Sequence, residues 1–83
     1  MPVFLLHHQH DPHECPAAFA AWTGFDSPLR RRPAASTCLT NGPAGHALWW
    51  RVEAADRPSA LALLPRFLAE RTTPIEIREV QIP

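Results

Sequence analysis

Short apolar runs alternate along the chain with polar, proline-punctuated segments, and each run carries a period that names its element. Val3 to His10 starts apolar and ends in His7-His8-Gln9-His10, the pattern of a first β-strand. Successive strand side chains point to opposite faces. Phe4, Leu6, His8 and His10 therefore share one face, and Val3, Leu5, His7 and Gln9 the other. Both faces are apolar at the start, which predicts a central strand covered on both sides. Asp11-Pro12-His13-Glu14 has the chemistry of a helix start: a capping acid, a proline at the first helical position and a second acid three residues on. Pro16 interrupts it, so the expectation is one turn over 12–15 and then a helix from Pro16 to about Thr23, closed near Gly24. Phe19 and Trp22 would be its buried stripe, with Phe25 just beyond.

A polar connection over 26–33 leads into a weak strand from Ala34 to Thr40. Asn41-Gly42-Pro43-Ala44-Gly45 is a turn signal, predicting a hairpin with His46 to Glu53, the clearest strand in the chain. There Leu48, Trp50 and Val52 oppose Ala47, Trp49 and Arg51. Arg57-Pro58-Ser59 opens a second helix to about Glu70, with Leu61, Leu64 and Leu68 at helical spacing, Phe67 beside them and a kink at Pro65. Thr72-Thr73-Pro74 breaks the chain, and Ile75 to Ile82 reads as the last strand. The order β-α-β-β-α-β predicts an α+β fold, a ferredoxin-like βαββαβ sandwich. It has a four-stranded antiparallel sheet, first and third strands in its centre, and two helices on one face. The uncovered face would expose either Phe4 and Leu6 or Val3 and Leu5, plus one of Trp49 and Trp50. An apolar sheet of that size predicts a homodimer packed sheet against sheet.

Eighty-three residues fit one domain, 1–83, and a chain this short buries only roughly 60% of its unfolded surface. Small domains commonly gain stability from a metal or a partner subunit. At 46% hydrophobic the chain is too apolar for disorder, and its formal net charge of zero argues against nucleic acid or an anionic membrane as partner. Arg30-Arg31-Arg32, followed by Pro33, reads as a solvated connection rather than a phosphate-binding patch. The apolar runs are too short to span a bilayer. Met1 leads into a short apolar run with no basic stretch before it, so the expectation is a cytoplasmic protein with Cys15 and Cys38 reduced.

The chemistry concentrates between His7 and Cys15. His8 and His10, two apart on a strand, project from one face, and imidazole and thiolate are ligands of zinc, copper and nickel. Cys15 follows after one tight turn and can return towards the strand end. His46 opens the third strand, which in the split βαβ topology lies beside the end of the first. The candidate metal ligands are therefore His8, His10, Cys15 and His46, holding a transition metal ion (zinc, copper or nickel). His7 and His13 are lesser candidates, and Glu14 is an oxygen donor or a second-layer acceptor. Cys38 reads as a strand residue rather than a ligand. A metal-free alternative remains open, with His8 or His10 as general acid or base on a small flat organic ligand in a pocket lined by Trp and His. Cys15 as a nucleophile lacks an accompanying acyl-transfer signature.

In element order, size and two-sided apolar centre the chain resembles the dimeric α+β barrel superfamily. Its opening His8-Gln9-His10-Asp11-Pro12-His13-Glu14-Cys15-Pro16, an H-x-H-x-P-x-x-C-P segment, is similar to that of some small bacterial members of that group. The resemblance implies a ferredoxin-like dimer. Its other members include cofactor-free monooxygenases and muconolactone-isomerase-like enzymes, and the nine-residue motif carries no activity of its own.

Overall fold

A computed structural model describes residues 1–38 and 45–83. The architecture is α+β: a four-stranded antiparallel sheet and three short helices. Strand β1 (Val3–His10) is followed by a 3-10 turn (Pro12–Glu14) and helix α1 (Cys15–Ala20). A second 3-10 turn (Pro28–Arg31), strand β2 (Ala35–Ser36) and strand β3 (His46–Glu53) come next, then helices α2 (Arg57–Leu61) and α3 (Arg66–Ala69) and strand β4 (Thr72–Ile77). The sheet order is β2-β3-β1-β4, so β1 and β3 are the central pair.

Register decides which side chains meet. Leu6 lies opposite Trp50 on β3 and Pro74 on β4, and His10 lies opposite His46. Phe4, Leu6, Leu48, Trp50 and Val52 thus face one way. They bury against Leu29 and against Ala60, Leu64 and Leu68 of the α2–α3 segment. The opposite face carries Val3, Leu5, His7, Trp49 and Ile75, all only partly covered or exposed. His7 and Trp49 stack there, with ring centroids 5.2 Å apart and planes 5° from parallel.

Several sequence expectations need correction. Phe19 is 57% exposed. Helix α1 ends at Ala20, short of the expected Thr23; it turns Cys15 and the buried Ala18 inward and Phe19 to the side, while Trp22 packs on the core, as expected, from the turn beyond the helix. Gly24 closes this stretch with φ +75°, a left-handed conformation that glycine takes without a Cβ penalty. The second helix is not kinked at Pro65 but divided there. Pro65 sits at the start of α3 with an extended ψ of 154°, since its ring cannot continue the preceding turn. Asp56 caps α2 by accepting from the Ser59 N–H at 2.8 Å. Thr72-Thr73-Pro74 does not break the chain but opens β4, which ends at Ile77 rather than Ile82. β4 pairs only with β1, and an edge strand tolerates a proline because its outer N–H groups need no partner. β2 spans only two residues of the expected 34–40 strand, and positions 39–44, with most of the expected turn, lie outside the described residues.

Candidate metal centre

The site lies where β1 ends and β3 begins. The direct pairing of His10 with His46 puts both rings on the helix-covered face, with centroids 5.5 Å apart. Pro12–Glu14 reverses the chain immediately after β1. The Asp11 N–H donates to Glu14 Oε1 at 3.0 Å and the Glu14 N–H to the Asp11 carbonyl at 2.8 Å, which sets Cys15 at the head of α1. From there Cys15 Sγ comes to 3.3 Å from His46 Nδ1. On the other flank of β3, Ser36 pairs with Leu48, and Thr37 exchanges backbone and hydroxyl hydrogen bonds with Ala47. Continuing that register by two residues sets Cys38 opposite His46. Cys38 Sγ then lies 3.7 Å from His10 Nε2.

His10, Cys15, Cys38 and His46 thus form one group whose ligating atoms all lie within 4.8 Å of one another. A tetrahedral zinc ion with Zn–S near 2.3 Å and Zn–N near 2.05 Å has S···N edges of about 3.6 Å. Two of the four S···N separations in the cluster, Cys15 to His46 at 3.3 Å and Cys38 to His10 at 3.7 Å, bracket that edge.

His8 belongs to this site but not to the group. It is fully buried behind His10, and its Nε2 lies 2.8 Å from His10 Nδ1. Its Nδ1 lies 3.3 Å from the Leu68 carbonyl and 3.2 Å from Thr72 Oγ1, whose own hydroxyl donates to that carbonyl at 2.6 Å. A carbonyl can only accept, so His8 Nδ1 carries the proton. Burial pushes the His8 pKa down, with the neighbouring His10 adding to it and the Leu68 hydrogen bond opposing, so the ring is neutral and its Nε2 accepts. His10 must therefore donate from Nδ1, which leaves the Nε2 lone pair directed at Cys38. Burial lowers the His10 pKa as well, reinforced by His46. The Cys15 thiol is pushed up, first by burial and then by the Cys38 side chain beside it, so coordination there must expel a proton.

Of the four ligands expected from sequence, the structure gathers His10, Cys15 and His46, holds His8 one layer behind, and brings in Cys38 instead. Register carried the missing signal: because Ser36 pairs with Leu48, paired positions in this hairpin add to an even number, and Cys38 and His46 share a face. Glu14 is taken up by Arg71, 3.1 Å away, and by the Asp11 N–H. His7 stacks on the far face, and His13 is exposed. Two hollows flank the cluster. One is polar, bounded by His10, Glu14, His46 and Arg71; the other is a largely apolar groove reached past Cys15 and Cys38. Comparison with protein-family models, with curated proteins and with solved structures gave no match to this chain.

Proposed function

We propose that this protein binds a transition metal ion, zinc first among zinc, copper and nickel, through His10, Cys15, Cys38 and His46. The observation that carries the reading is the convergence of two imidazoles and two thiols, from four separate segments, within 4.8 Å. Two soft sulfurs and two nitrogens in a compact group favour zinc over metals that prefer oxygen or square-planar donors. Four protein ligands complete a tetrahedron, which is the make-up of a structural or metal-holding site rather than one that keeps a position open for a reacting water. Thiolate ligation fits a reducing, cytoplasmic setting. The β2-β3-β1-β4 order, with all helices on one face, supports a ferredoxin-like βαββαβ sandwich of the dimeric α+β barrel kind.

Elemental analysis of untagged protein, purified without chelator, tests the function. The expected result is close to one zinc per chain, lost in Cys15→Ser, Cys38→Ser and His46→Ala. Protein that arrives free of metal and then ignores added zinc, copper(I) and nickel overturns the reading.

A further inference from the structure

We infer that the groove beside the metal cluster is a binding site for a small aromatic carboxylate. The groove encloses about 570 Å³, within the range of small-molecule sites. It follows β3. At one end stand Cys15 and Cys38, next to His46. Towards the other, Arg32 Nη2 donates to the Arg51 carbonyl at 2.9 Å, five residues further along the strand and so about 17 Å away. Leu48 and Trp50 form the floor between them.

Three aromatic side chains line this space. Trp22 and Trp50 are tilted 56° to one another at 6.1 Å, and Phe19 reaches the groove from α1, the helix that Cys15 opens. Among the described residues Phe19 is the one large exposed apolar side chain that borders the groove, and a flat ring laid across it would cover surface that is now open to water. The charge of the lining is one-sided. Arg30 and Arg32 are its only charged residues, and among the described residues neither is in an ion pair. Among the described residues each guanidinium donates to one backbone carbonyl, Arg30 to Phe25 and Arg32 to Arg51, which orients it and leaves further donors for a carboxylate. Ser27 fixes the segment that carries them. Buried beneath it, its hydroxyl donates to the Leu63 carbonyl at 2.7 Å and accepts from the Leu29 N–H. The aromatic walls select the ring, the arginines select its charge, and the ligand's far edge points along the groove towards Cys15 and Cys38. This site stands on the groove alone and goes beyond the metal reading.

Calorimetric titration of the intact protein with 2-naphthoate, 2-naphthylmethanol and octanoate provides the test, with tryptophan fluorescence as a second readout. Naphthoate is expected to saturate one site per chain, with the neutral alcohol and the aliphatic acid each roughly tenfold weaker or more. Replacing both arginines (R30Q with R32Q) should abolish the preference for naphthoate over the alcohol, and Phe19→Ser should weaken both ring compounds. Equal affinity for naphthoate and the alcohol, insensitivity to the arginine substitutions, or no saturation at millimolar ligand each overturns the proposal. None of these residues is a proposed metal ligand, so zinc content measured on the same samples separates the two readings. Naphthoate binding without zinc removes only the first, and zinc without naphthoate binding only the second.

Discussion

At the scale of single residues, His8 shows how a buried side chain sets the chemistry of its neighbour. The Leu68 carbonyl fixes the His8 tautomer, His8 fixes that of His10, and the nitrogen freed on His10 is the one that points at Cys38. His8→Ala should therefore weaken zinc binding about 10- to 100-fold although His8 is not in the ligand group, as measured by competition with a chelating dye. His8→Gln restores an acceptor for the His10 N–H and should recover part of that loss. The two buried imidazoles also give the metal-free protein a pH dependence of definite sign. Their folded pKa values lie below the usual value of about 6.5, so below that pH the unfolded chain takes up protons that the folded one resists. Stability in the presence of chelator should fall as pH drops through about 6.5 and level off below the depressed values. Urea midpoints between about pH 8 and pH 5 measure it, and a flat profile would contradict the neutral His8–His10 relay.

Among the elements, the turn over Pro12–Glu14 matters most, because it aims Cys15. Hydrogen bonding from the Asp11 N–H, followed by the Arg71 guanidinium, holds the Glu14 carboxyl below the usual carboxylate range. A depressed carboxylate stabilises the fold above its unfolded pKa, and that contribution is lost as pH falls through the folded value. Glu14→Gln should then lower the thermal midpoint at pH 7, and the difference from the parent protein should shrink as pH falls below the usual carboxylate value of about 4.3 and vanish below the depressed folded value. The same turn shows what the sequence made legible. Its capping acid, proline and second acid were plain, as were β1 and β3, whose alternation survives in the register. The inward face of α1 was not, because Phe19 is the larger hydrophobe while the geometry of one and a half turns selects Ala18. The extent of β4 was obscured by Pro74, whose tolerance depends on the strand lying at an edge. At the site, His10, Cys15 and His46 could be placed from spacing and topology. Separating His8 from Cys38 required knowing that Thr37 locks onto Ala47, a contact that no local pattern announces.

For the molecule as a whole, one sheet face is left with the His7–Trp49 stack, Val3, Leu5 and Ile75, and among the described residues no helix packs above it. We propose that a second copy of this chain covers it. The patch is apolar at its centre, and a two-fold dimer is the economical closure for a small domain. Light scattering on eluting protein should give a dimer mass, and Leu5→Glu with Ile75→Glu should give a monomer that still carries zinc. A monomeric parent protein would remove the dimer and leave the metal centre untouched. Among the described residues no helix is long and apolar enough to cross a membrane.

The pairing of His10 with His46 has a consequence for folding fidelity. A slip of β1 against β3 by one residue would bring Gln9 or Asp11 opposite His46 and turn His10 to the other side of the sheet. The proposed ion, which would need both rings together with both thiols, would then proofread strand alignment. It would favour the one registration that also buries Phe4 and Leu6, and a chain zipped out of step would have no site to offer it.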